Sequence, residues 1–250
     1  YVAARVIAGN ANQSGALVSK GLAALGTQFR IGALLNTATT VFTDNHYTFV
    51  SVLATENNTL VQFEDIKSGV QLINNVGAGN LPAFVTLNSG ESFVMAVDGP
   101  WDPNRDALIG SVVIADKPVA LNCGSFCGSN TSSNLDTGFD QIVSVERTGK
   151  DYIFIKNTGQ AQVERVLLVA NENNTQIFLS TDVGTPDYTL NAGDYIALDG
   201  NDFTAQGNLY VHSSKNIFAY QTIGDNSRTD FANQELFFVP PLSCETPHVI

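Results

Sequence analysis

The residues best suited to chemistry lie in one short loop. Asp98, Trp101, Asp102, Asn104 and Asp106 fall within nine residues, and Asp199, Asn201 and Asp202 occupy a similar loop further on. Calcium takes oxygen ligands from closely spaced Asp, Asn and backbone carbonyl groups. Asp102, Asn104 and Asp106 offer oxygens at alternate residues, but the Gly and Glu of an EF-hand are absent. The simpler reading is a polar turn, with a calcium loop as the alternative; no metal is assigned. Trp101 could serve as a sugar-binding platform, but the favoured reading is a plug packed onto its own domain. Cys123 and Cys127, separated by Gly-Ser-Phe, are a disulfide candidate in an oxidising compartment. The alternative is two reduced, partly buried thiols. Cys244 is the odd cysteine and would pair beyond residue 250. His46, His212 and His248 are scattered and form no zinc or protease motif. There is no Gly-x-Ser-x-Gly elbow and no phosphate loop. Every acidic residue sits in turn-like context rather than as a paired general acid and base. The chain is therefore read as non-enzymatic.

Composition says what must position these loops. The 250 residues carry 12 Lys plus Arg against 24 Asp plus Glu, a net charge of −12, so a phosphate backbone is not a fitting partner. Hydrophobic residues make up 44%, enough for a sizeable core, and no apolar run is long enough to span a membrane as a helix. Low charge with abundant Asn, Gly, Thr and Ser predicts an extracellular β protein. The chain reads as a piece of a longer one.

The strongest pattern is internal repetition. FVSVLATENNTLVQF at 49–63 matches RVLLVANENNTQIFL at 165–179, an offset of 116. The Leu-Asn-x-Gly segments at 85–99 and 188–200 match at 103, Lys117 and Lys215 at 98, and LGTQFRI at 25–31 with TGKDYIF at 148–154 at 123. This predicts an end of a preceding repeat at 1–17, copies at 18–130 and 131–230, and a third copy starting at 231–250. Period-two alternation predicts about seven strands per copy. Glu56, Asn57, Asn58 and Thr59, and their counterparts Glu172, Asn173, Asn174 and Thr175, are read as one hairpin turn used twice. Both also fit the N-glycosylation acceptor, which matters only in a secreting eukaryote. Asn88 to Glu91 and Asn191 to Asp194 are read as a second turn, and Ala115 to Pro118 as a third. Residues 14–25 are the only helix candidate. The fold class is all-β: tandem repeated antiparallel β-sandwich-like modules, with a β-propeller built from the same hairpins as the alternative.

Four ordered motifs carry a family resemblance: A-L-G-T-x-F at 24–29, A-T-E-N-N-T-x-V at 54–61, L-N-x-G-x-x-F at 87–93, and A-D-K-P-V-A followed by G-S-F-C at 115–127. Together they resemble the IgGFc-binding protein N-terminal domain family over nearly the whole chain. The resemblance implies an extracellular, cell-surface location and no enzymatic activity. It implies a repeat module of a large secreted adhesin of the Bacteroidetes type, with a role in cell adhesion or gliding motility and export by type IX secretion. Implied partners are an extracellular protein or polysaccharide ligand, other domains of the same long chain, and secretion or motility machinery. Alternatives are a lectin-like glycan-binding module, calcium-assisted or not, and a subunit of a surface filament. No motif carries the antibody-binding activity, so no binding residue is transferred. The second copy departs from the first in having Asn216 after Lys215 and in lacking Cys at the positions of Cys123 and Cys127.

Overall fold

A computed structural model describes residues 3–8, 13–36, 46–74, 77–78, 84–99, 102–130, 135–224 and 234–243. Strands β1 (Ala3–Ala8) and β2 (Gln13–Val18) pair as a separate two-stranded sheet, with β2 lying against the strand at Asp136–Ile142. Residues 14–25, the one helix candidate and one that two glycines weaken, form β2 followed by a single 3-10 turn at Gly21–Ala24. The first large sheet contains β3 (Gly26–Arg30), β4 (Tyr47–Ala54), β5 (Thr59–Glu64), β6 (Leu72–Asn74), β7 (Gly77–Ala78), β8 (Val85–Leu87), β9 (Ser92–Asp98), β10 (Val112–Gly128) and β11 (Asp136–Ile142). The second contains β12 (Gly149–Ile155), β13 (Arg165–Ala170), β14 (Thr175–Ser180), β15 (Asp187–Leu190), β16 (Tyr195–Leu198), β17 (Asn208–Ile223) and β18 (Glu235–Phe238).

Both sheets are antiparallel and curled, and the arrangement is sandwich-like rather than a ring of separate blades. Their pairing orders correspond: β9-β4-β10-β5-β8 in one and β16-β13-β17-β14-β15 in the other. Two further strands flank each long strand, β3 and β11 on β10, β12 and β18 on β17. The register corresponds as well. Ala54 faces Val119 where Ala170 faces Ile217. Thr59 faces Leu87 where Thr175 faces Leu190. Gly26 faces Val119 where Gly149 faces Ile217. The strand β11 lies past residue 130 yet completes the first sheet, pairing with β10 from Leu121 to Gly128.

The expected hairpin at Ala115 to Pro118 is not a turn. It is a bend within one continuous strand. The β5 ladder on β10 ends at Ala115, the β4 ladder starts at Val119, and the β3 pairing shifts register between Ile114 and Val119. Pro118, which has no N–H to give, is exposed at this break, where a missing donor costs least. Strand β17 bends at the same place, passing from β14 at Ser213 to β13 at Ile217. Each long strand thereby serves two layers and folds its sheet over a core.

One hydrophobic cluster is centred on Phe29, Val50, Met95, Val113 and Leu121 and extends to Leu167, Val169, Phe218, Tyr220 and Phe238 of the second sheet. A second lies within the second sheet, around Tyr152, Phe154, Leu168, Ile177 and Val211. Strand β13 contributes to both, because Val166, Leu168 and Ala170 point one way and Leu167 and Val169 the other. The continuous apolar run follows from that double burial. Tyr220 anchors the junction: its hydroxyl donates to Arg30 O at 2.5 Å, and its ring lies against Gly32, where a Cβ would meet it at 2.5 Å.

Candidate functional site

The repeated polar motif builds the same small cage twice. Asn58 and Asn174 close their hairpins at φ 54° and 56°, a left-handed conformation that Asn tolerates better than most residues. Thr59 and Thr175 are buried, and their hydroxyls donate to Glu56 O and Glu172 O at 2.8 and 2.7 Å. Asn57 Oδ1 accepts from Ser89 N–H at 3.1 Å, and Asn173 Oδ1 from Ala192 N–H at 3.0 Å. Asn88 N–H donates to Glu91 and Asn191 N–H to Asp194, at 2.7 and 2.9 Å. Lys117 Nζ then donates to Asn57 O at 2.5 Å, and Lys215 Nζ to Asn173 O at 2.7 Å. Side chains thus satisfy the backbone groups that two adjacent turns leave open.

The loop singled out for calcium divides in two. Asp102 is exposed. Asn104 is buried, with Oδ1 accepting from Gln71 N–H at 3.0 Å. Asp106 turns to the junction between the sheets, where Lys67 Nζ reaches Oδ1 and the Tyr195 hydroxyl donates to Oδ2, both at 2.7 Å. Trp101 and the Asp98 side chain lie outside the described residues, although the Asp98 backbone pairs with Tyr47. In the second loop Asp202 Oδ2 accepts from Asp199 N–H and Asp199 Oδ1 from Asn201 N–H, both at 2.8 Å, as turn formers do. Among the described residues no group of three or more His, Cys, Asp or Glu is placed to hold a metal ion.

Asp106 lines an open cleft of about 440 Å³ at this junction. The first sheet contributes Asp65, Lys67, Asp106, Ala107 and Ile109; the second contributes Leu190, Gly193, Asp194 and Tyr195. Burial alone would raise the Asp106 pKa. The Lys67 and Tyr195 hydrogen bonds and the Lys67 charge outweigh it and hold the carboxyl below its usual value. The Tyr195 phenol is pushed up by burial and by the carboxylate it bonds. Behind the cleft, buried Arg30 donates through Nη1 to Asp65 Oδ2 at 2.6 Å and to Gly110 O at 2.8 Å. Gly110 and Gly193 meet back to back, and a Cβ on Gly110 would collide with Gly193 O. The cleft combines carboxylates with an apolar floor. Sequence reasoning had located Asp106 and the Asn191–Asp194 turn but not Arg30, Asp65, Lys67 or Tyr195, which meet only when the sheets pack.

The expected Cys123–Cys127 bridge is absent: both thiols are free. Both belong to β10, whose pairing with β4 holds Cys123 to Phe126 along the strand before a bulge between Ser125 and Gly128 that takes Cys127 to φ 57°. Burial pushes the Cys123 thiol up to about 12, and burial with the Asp136 charge raises that of Cys127. Cys123 Sγ instead lies 4.0 Å from the Tyr220 hydroxyl. His46 is buried beside Asn36 at 3.0 Å. His212 lies within β17 with its side chain half exposed, stacked on Phe178 and 2.8 Å from Asp151. Cys244 and His248 lie outside the described residues.

No helix among the described residues is long and apolar enough to cross a membrane. No curated protein and no solved structure matches this chain. The family described as IgGFc binding protein matches residues 15–249, which takes in both curled sheets and the cleft between them. It is a family of binding domains. By that match the chain belongs to the IgGFc-binding protein family.

Proposed function

We propose that the chain is two copies of one extracellular binding module, forming part of a large secreted surface adhesin that serves adhesion or gliding motility. The observation that carries this is the family match over residues 15–249, whose members are typically extracellular. The corresponding ladders of the two sheets support the two-copy reading. The shared core, with Tyr220 bonded across it, makes the pair a stiff unit suited to a stalk. The ligand-contact surface is the junction cleft, where the exposed Asp65 carboxylate and Asp194 stand over Ala107, Ile109 and Leu190. Such a cleft suits a basic, partly apolar segment of an extracellular protein. Soluble chain is added to cells that display the parent protein, on surfaces coated with candidate extracellular proteins, the Fc fragment of immunoglobulin G among them. The expected result is competitive loss of attachment, at least tenfold weaker for Asp65→Asn with Asp194→Asn. Attachment unchanged at saturating chain would overturn the adhesin reading. Attachment blocked equally by the double variant would overturn the cleft. A lectin role predicts instead that polysaccharide competes and that a chelator releases it.

A further inference from the structure

The link from β5 to β8 runs over residues 65–84, whereas the equivalent link from β14 to β15 is residues 181–186. Counted equally from Thr59 and Thr175, Lys67 corresponds to Val183, which is 95% exposed at a tip closed by the Thr181–Gly184 bridge. In the long link the first residues instead lie along the junction. Ser111 Oγ donates to Asp65 O at 3.3 Å, Gln71 N–H donates to Asn104 Oδ1 at 3.0 Å, and Ile66 and Val70 pack on the core. The backbone from Asp65 to Gln71 is therefore pinned at both ends. Between the pins Lys67 reaches into the cleft, where its ammonium meets Asp106 Oδ1 at 2.7 Å.

This ammonium shows what the cleft accepts. A carboxylate stands at the end of an apolar floor of Ala107, Ile109 and Leu190, and a lysine of the chain itself fills it. Asp106 does not depend on Lys67 for its orientation, because the Tyr195 hydroxyl donates to Oδ2 at 2.7 Å from the second sheet. The Lys67 side chain is 47% exposed and that of Asp106 26%, so water competes for the pair and keeps it weak. A weak, tethered occupant yields to an incoming group of the same chemistry.

We propose that Asp106 is the cation subsite of the cleft, that it takes a lysine side chain of the ligand, and that Lys67 is a tethered competitor which the ligand displaces. This subsite rests on the cleft reading given above and narrows the basic segment to one that presents a lysine. A ligand that must first displace Lys67 binds more weakly by the fraction of chains in which Asp106 is free. For a half-exposed ion pair that factor is about two- to sixfold.

Nα-acetyl-lysine amide is titrated into the full chain and followed by carbon NMR of the side-chain carboxyl groups. The expected result is that the Asp106 signal moves, that Lys67→Met tightens binding about two- to sixfold, and that Asp106→Asn abolishes it. Lys67 is exposed, and Asp106→Asn keeps an oxygen for the Tyr195 hydroxyl, so circular dichroism should not change. Lys67→Met also removes a positive charge, which would favour any cation. Combining it with Asp106→Asn restores the net charge of the parent, and the gain should vanish. A dissociation constant unchanged by Lys67→Met, a gain that persists in the double variant, or an Asp106 signal that the probe leaves unmoved would each overturn the inference. Asp65 and Asp194 are intact in every variant, so such a failure is separate from the attachment assay and leaves its outcome open to stand.

Discussion

Asp136 should weaken the fold at neutral pH, and removing its charge should strengthen it. Its carboxyl is buried in the first residue of β11. Burial raises its pKa from 3.8 to about 6, against hydrogen bonds from Gln234, with Glu235 adding repulsion. Gln234 Nε2 donates to Oδ2 at 3.2 Å. Because the folded value lies above the unfolded one, this group favours folding most below pH 3.8. That contribution is lost as pH rises to about 6. Each pH unit in the window is worth about 1.4 kcal/mol, so the whole comes to about 3 kcal/mol. Asp136→Asn keeps an oxygen for Gln234 and cannot ionise. Urea unfolding from pH 3.5 to 8 should show the variant more stable by up to about 3 kcal/mol at pH 8, with the advantage shrinking to near zero at pH 3.5. A variant no more stable at pH 8, or one whose difference from the parent does not vary with pH, would refute the reasoning.

Three further outcomes are open to the same assay. Burial lowers the His46 pKa from 6.5 to about 4, so its stability contribution is whole above pH 6.5 and is lost as pH falls toward 4. Its sign is opposite to that of Asp136, so the acid limb between pH 6 and 4 should be shallow in the parent chain and steep in Asp136→Asn. Tyr220→Phe strands the buried Arg30 carbonyl and should cost about 1–3 kcal/mol; a loss below about 0.5 kcal/mol would show that the junction does not depend on that bond. Asn174→Ala should cost about 1 kcal/mol at its positive φ and Asn174→Gly clearly less, since only the former adds left-handed strain.

The turns were legible because their chemistry is local. Asn58 and Asn174 take a conformation that few residues accept, and Thr59 and Thr175 close bonds only three residues away. The correspondence between ladders was legible for a related reason: a one-residue slip would send every core side chain to the wrong face, so conserving the pattern within one chain conserves the register. The long strands were not legible. Asp116, Lys117 and Pro118 have the composition of a turn, yet the ladders continue on either side of them. What decides between a turn and a bend is whether two different neighbours are waiting, β5 before and β4 after, and that is a property of the assembled sheet.

The cleft was illegible for a stronger reason. Asp106 looked like a ligand among neighbours in sequence, but its partners Lys67 and Tyr195 come from 39 residues before and 89 residues after it. Local spacing can report a metal loop because such a loop collects its ligands from one segment. It cannot report a site made by packing one sheet on another. The same logic separates the cysteines from the disulfide their spacing suggested. Spacing alone does not say whether a Cys-x-x-x-Cys segment turns back; here the partners Val50 and Asp140 hold Cys123 in the ladder, and the chain departs from it only at the bulge that carries Cys127.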